Sequence, residues 1–249
     1  MAKAEEPQPG TASAGASGSG AGLVDVLLDS ARSFLQRGEL EDAGRCVVHA
    51  LSAAAPDSPE RTRALGLSGQ IARVAGRFED AEAAWSEVLV IERGSGETIR
   101  AAETLCNLGE LARQRGHYAE ALTAIRESLQ LSSRETPGAL RARALEEFGI
   151  LQRRLGATED AARALTEAVR IREAIGDRPG LARAQRSLGN ACFKLGQLDQ
   201  ALAAHERSLQ LYEELNRAED CATARNNLGT VQIQLGRNDE AEENFRRAR

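Results

Sequence analysis

A glycine recurs at Gly38, Gly76, Gly116, Gly156, Gly196 and Gly236, first after 38 residues and then four times at intervals of 40. A period of this length marks a tandem array of one small supersecondary unit, and that excludes most other architectures for the chain. Five residues after each of these glycines stands an alanine: Ala43, Ala81, Ala121, Ala161, Ala201 and Ala241. Nine residues after come Val47, Trp85, Ile125, Leu165, His205 and Phe245. Seven residues before the last five sits a second glycine: Gly69, Gly109, Gly149, Gly189 and Gly229.

Each copy reads as a helical hairpin. Apolar residues fall at three- and four-residue spacing on both sides of the turn glycine, as in Leu105, Leu108, Ala112 and then Ala121, Ile125, Leu129, the spacing of one helix face. The turn glycine can take the left-handed conformation that ends the first helix. A glycine inside a helix costs about 1 kcal/mol relative to alanine, so five retained ones imply a close helix approach, for which the alanines supply a small surface. Asp57-Ser58-Pro59-Glu60, Gly94-Ser95-Gly96, Thr136-Pro137-Gly138 and Asp177-Arg178-Pro179-Gly180 carry stop and start signals between hairpins. First helices are expected near 23–36, 60–75, 97–115, 138–155, 179–195 and 219–235. Second helices are expected near 39–54, 78–93, 118–133, 158–175, 198–215 and 238–249. No stretch shows the sustained alternation of a strand.

These features resemble the tetratricopeptide repeat in a long-period form. Asn107-Leu108-Gly109 and Asn227-Leu228-Gly229, each followed by the glycine-to-alanine turn, are similar to segments of kinesin light chains and Pins-type polarity adaptors. Related arrays occur in bacterial regulators. The resemblance implies an all-α, right-handed superhelical solenoid of six helix-turn-helix repeats over 23–249. The repeats run about 23–58, 59–96, 97–136, 137–176, 177–216 and 217–249. Repeat one departs from the pattern, with Ala31 where the helix glycine belongs, as a terminal cap would. The last repeat reads as incomplete or uncapped, which leaves room for self-association through that end. Residues 1–22, almost all Ala, Gly, Ser, Pro, Gln and Glu, read as a disordered tail that cannot bury enough apolar area to offset chain entropy.

Composition narrows the function. Lys+Arg total 32 against Asp+Glu 37, a net charge of −5, which argues against nucleic-acid binding through overall charge. No apolar run approaches the roughly 18 residues of a membrane span, and the N-terminus lacks the apolar stretch of a signal peptide, so a cytoplasmic protein without membrane contact is expected. Cys46, Cys106, Cys192 and Cys221 form no CxxC pair and there are three histidines. Buried reduced thiols are expected, without metal or other cofactor. No phosphate-loop, zinc-hydrolase or nucleophile-elbow motif occurs. His49 and His117 read as exposed, and His205 as a packed core residue. Glu146-Glu147 and Glu242-Glu243 are adjacent carboxylates that do not face each other along a helix and read as a solvated face. An enzyme is not expected.

The resemblance places the first helices on a concave surface. Three residues before the turn glycine come Arg73, Arg113, Arg153, Phe193 and Ile233. Six before come Gln70, Glu110, Ile150, Asn190 and Thr230, and thirteen before come Arg63, Glu103, Arg143, Arg183 and Thr223. Offsets differing by three and seven share one helix face. The groove so implied is basic, with Arg154 and Lys194 at its edge, and gains apolar character at Ile150, Phe193 and Ile233. It suits an acidic protein or peptide segment with an apolar anchor; the other reading is that the arginines merely solvate the surface beside Glu103, Glu110 and Glu146. The Pins-type resemblance implies that Asn107, Asn190, Asn226 and Asn227 bond a partner's backbone. Arg186, Asn190 and Asn227 also resemble part of the carboxylate clamp of chaperone-binding members, whose remaining basic contacts come from a following repeat that this chain lacks. The function implied is a non-catalytic adaptor or scaffold. The alternative is a ligand- or peptide-responsive module of a larger transcription regulator, kinase or nucleotide-hydrolysing switch.

Overall fold

Each turn glycine closes its hairpin in the same way. In the computed structural model, which describes residues 17–132 and 138–248, φ lies between 74° and 91° at Gly38, Gly76, Gly116, Gly156, Gly196 and Gly236. The following amide bonds back across the turn: Glu39 N to Phe34 O at 2.9 Å, Arg77 to Ala72 at 2.8 Å, His117 to Ala112 at 2.8 Å, and Ala157, Gln197 and Arg237 likewise at 2.9 Å. This is the Schellman pattern, which satisfies carbonyls that the helix end leaves open. The turn therefore comes from the backbone, and most second helices begin without a side-chain cap.

Twelve helices result among the described residues, and no strand. The hairpins are α1 (Ser17–Gln36) with α2 (Leu40–Ala53), α3 (Pro59–Val74) with α4 (Phe78–Gly94), and α5 (Thr98–Gln114) with α6 (Tyr118–Leu131). They continue as α7 (Gly138–Arg154) with α8 (Thr158–Ala174), α9 (Arg178–Lys194) with α10 (Leu198–Glu214), and α11 (Ala218–Gln234) with α12 (Asn238–Arg247). Where a side chain does cap, the start signals act as expected. Ser58 accepts from Arg61 N at 3.1 Å with Pro59 following it, and Asp177 accepts from Gly180 N at 2.9 Å. Boundaries lie within about two residues of the sequence expectation at every end but one. The first helix begins at Ser17 and not near residue 23. Adding residues to a helix already nucleated by packing, here of Val24 and Leu28, is cheap even for a poor sequence. The rest of the expected tail, residues 1–16, and the Thr136-Pro137 linker lie outside the described residues.

The chain divides into two units, Met1–Ile91 and Glu92–Arg249. In the first, α2 packs on α1 and α3, and α1 also meets α3. In the second, α6, α8 and α10 each pack between their own first helix and the next one, and α5, α7, α9 and α11 touch in series. That series is a layer of first helices.

The packing glycines work differently from the sequence expectation. A Cβ on Gly69, Gly109, Gly149, Gly189 or Gly229 would come within 2.6–2.7 Å of Trp85, Ile125, Leu165, His205 or Phe245 respectively. The glycine thus makes room for the bulky residue sixteen positions on, rather than meeting a small surface. The alanines five after the turn are no more than 2 % exposed and fill the space beside it. Cys106 and Cys192 are buried free thiols, while Cys46 and Cys221 are half-buried and also free. Burial pushes the Cys106 thiol up to about 12, so it is not a nucleophile at neutral pH.

Candidate functional site

The first-helix layer of the second unit carries most of the expected groove residues, and their partners separate them into two groups. Arg113 Nε donates to Glu147 Oε2 at 2.7 Å, from α5 to α7. Arg143 returns the link, donating to Asn107 Oδ1 at 2.7 Å and Glu110 Oε2 at 2.8 Å. Arg186 on α9 reaches Asp220 on α11 at 3.3 Å and lies over the Tyr212 ring at 5.8 Å. In the first unit Arg63 pairs with Asp25 at 2.8 Å and Glu60 at 3.2 Å, and Arg73 is likewise engaged. Arg63, Arg113, Arg143 and Arg186 thus link adjacent first helices and are not open charges along a groove.

Arg153, Arg154 and Lys194 form the other group. None has a carboxylate partner among the described residues. Lys194 Nζ instead donates to the backbone carbonyl of Arg153 at 3.0 Å, which ties the C-terminal ends of α7 and α9 together. Burial, and then the neighbouring Arg154, push the Arg153 guanidinium below its ordinary value, the mark of a charge without local compensation. The period explains the difference. Arg113 is neutralised by the glutamate 34 residues on, whereas 34 residues after Arg153 stands Ser187, which carries no charge. Among the other expected groove residues Ile150, Asn190, Phe193 and Asn227 are half-buried, Arg183 and Asn226 are exposed, and Ile233 is 50 % exposed.

One expectation is corrected. Glu146 and Glu147 do not form a solvated face: Glu146 is 6 % exposed and pairs with buried Arg172 of α8 at 3.4 Å, and Glu147 holds Arg113. Burial raises the pKa of both carboxyls against the pull of nearby guanidinium groups, Arg183 and Arg172 at Glu146 and Arg113 at Glu147. The signal lay in the period. The sixteenth residue after the turn glycine is Glu92, Ser132, Arg172 and Tyr212 in successive repeats, and all four are buried. Glu92 accepts from the Thr104 hydroxyl at 2.7 Å. In repeats two to five this is a buried polar position, filled differently each time.

His49 and His117 are exposed, as expected, and His205 is 1 % exposed, with no hydrogen-bond partner for Nδ1. Burial, with Arg186 adding to it, holds the imidazole down at about 4. The unfolded chain binds that proton near 6.5, so the sign is fixed. Stability is full above pH 6.5 and falls as pH drops toward 4. About 2 kcal/mol should be lost between pH 7 and pH 5 on this account. Urea denaturation at both pH values checks it. His205→Leu, which places the Leu165 side-chain type at this position, should flatten that part of the slope; an unchanged slope would refute the assignment.

No group of three or more His, Cys, Asp or Glu is arranged to hold a metal among the described residues, and none of their helices is long and apolar enough to cross a membrane. Tetratricopeptide-repeat family models match residues 100–174 and 180–249, and residues 28–97. Among solved structures, the chain is similar to BtubC from P. vanneervenii, with a TM-score of 0.66 and 17 % identity over 94 % of this chain and 90 % of that one. It is similar to the apo form of RapI, with a TM-score of 0.72 and 14 % identity over 90 % of this chain and 96 % of that one. A putative kinesin light chain from Podosopora anserina, with nearly identical TPR-like repeats, gives a TM-score of 0.63 and 15 % identity over 80 % of this chain and 98 % of that one. At such identities the likeness is one of fold. No curated protein sequence matches the chain.

Proposed function

Because the chain belongs to the tetratricopeptide-repeat family, we propose that it is a non-catalytic adaptor whose α7–α9 surface takes an acidic protein segment with an apolar anchor. The observation that carries this reading is the uncompensated cluster of Arg153, Arg154 and Lys194, set against the internally neutralised Arg113. Charges with no carboxylate partner among the described residues, beside half-buried Ile150 and Phe193, suit a ligand that supplies carboxylates and one apolar side chain. Reversing Arg113 would not test this surface, because it would set two like charges against each other at Glu147 and report on stability instead.

Selection from a displayed random-peptide library tests it. Retained peptides should be rich in Asp and Glu beside a Phe, Leu or Trp. Their affinity should fall about tenfold or more in the Arg153→Glu, Lys194→Glu double variant, since reversing two charges removes two attractions to an acidic ligand and puts repulsion in their place. Binding should weaken with salt, because the site is open to screening. Arg126→Glu, on exposed α6 surface, should change little. Peptides without acidic enrichment, or equal retention by the double variant, would sink the proposal.

A further inference from the structure

A cleft of about 560 Å³ opens in the first unit between α2 and the end of α3, within the size range of small-molecule sites, about 300–1,000 Å³. Its origin is a missing side chain. The sixth residue after the turn glycine varies: it is Glu82, Ala162 and Glu242 in repeats two, four and six, and Leu122 and Leu202 in repeats three and five. Leu122 packs in the cluster that holds Leu151, and Leu202 in the cluster that holds Val231. Leu151 and Val231 sit five residues before the next turn glycine, the position that Ile71 holds in repeat two. In repeat one the matching residue is Gly44, and a Cβ there would meet nothing within 4 Å. The space that Leu122 and Leu202 fill in repeats three and five is open here, with Val47 and Ile71 as its floor and Leu40, Val48 and Ala75 around it. Val48 is 65 % exposed.

The charged lining is lopsided. Arg45, His49 and Arg77 border the cleft against one acid, Glu41. Arg45 and Arg77 pair with Asp42 and Asp80 on the open surface, with side chains 73 % and 59 % exposed. Such exposed pairs contribute little and open readily to a competing anion. We infer that this cleft is a binding site for a small amphipathic anion, with an apolar body in the space left by Gly44 and an acidic head toward Arg45 and Arg77. It is separate from the α7–α9 surface and does not depend on how that surface functions.

The probes are 8-anilinonaphthalene-1-sulfonate, followed by its fluorescence, and octanoate as a competitor, with octanol as the uncharged control. Wild-type chain should bind the sulfonate saturably at one site, and octanoate should displace it about tenfold more effectively than octanol. Gly44→Leu should abolish binding while raising the melting temperature, because the new side chain packs as Leu122 and Leu202 do. Val48→Glu, at an exposed position that the fold does not need, should also weaken binding by about tenfold or more through charge repulsion. Arg45→Ala with Arg77→Ala should remove the preference for octanoate over octanol. Absence of saturable binding, binding unchanged in both Gly44→Leu and Val48→Glu, or equal displacement by octanol in wild type would each overturn the assignment.

Discussion

Gly149→Leu is expected to lower the unfolding free energy by about 3 kcal/mol or more, read as a fall in the urea midpoint. On Gly149 even a Cβ would lie 2.6 Å from Leu165 Cγ and 3.1 Å from both of its methyl groups. Leu165 is fully buried in a cluster with Ala161 and Ala191, so it has nowhere to turn. The helices α7 and α8 must therefore separate, and the second unit loses contacts around that hairpin. Overpacking alone is typically ~1–3 kcal/mol, and the lost neighbour contacts add to it. The matched control is Gly66→Ala. Gly66 is also a helical glycine, but a Cβ there meets nothing within 4 Å, so the substitution should stabilise by about 0.5–1 kcal/mol through helix propensity. A wild-type midpoint for Gly149→Leu would show that the close approach does not exist.

That pair of glycines shows what a one-dimensional period can and cannot carry. The turn glycines, the helix ends and the need for space at Gly149 follow from spacing alone, because backbone geometry is local. What fills the space does not. The sequence pairs Gly149 with the small Ala161, whereas the contact is with Leu165, because side-chain direction along α8 decides which residue faces the glycine. The site was less legible for the same reason. Arg113 and Arg153 occupy the same place in their repeats and look alike, yet Glu147 neutralises one and Ser187 leaves the other open. The partner lies 34 residues away on the next first helix, a relation that recurs for Arg186 with Asp220 and, between the second helices α4 and α6, for Arg93 with Glu127. Charge on a face is visible in sequence; compensation of that charge requires knowing which residue of the neighbouring repeat stands opposite. Glu146 was misread for a related reason. Two adjacent glutamates look like solvated surface until the register shows that one of them faces the buried sixteenth position after the turn.

Arg172→Met should be the most destabilising change in the chain at pH 8, by about 3–5 kcal/mol. Arg172 is 3 % exposed and joins three elements: it holds Glu146 of α7 at 3.4 Å and pairs with Asp177, whose other oxygen caps α9 through Gly180 N at 2.9 Å. Without the guanidinium, Glu146 remains buried with only the more distant charges of Arg183 and Arg186 acting on it, and Asp177 loses one of the interactions that hold its pKa below the ordinary value. A carboxylate left in that position has a raised pKa, and a raised folded-state pKa means that folding takes up a proton. The deficit should therefore shrink as pH falls from 8 toward 5. Replacing both partners, Arg172→Met with Glu146→Leu, should recover most of the loss, because an apolar pair of similar volume removes the desolvation penalty as well as the attraction. A double-mutant cycle by urea denaturation measures the coupling. If Arg172→Met alone is as stable as wild type, or if Glu146→Leu rescues nothing, then the buried pair does not hold α7, α8 and α9 together, and the packing of Ala168, Leu181 and Leu211 around it must carry that role unaided.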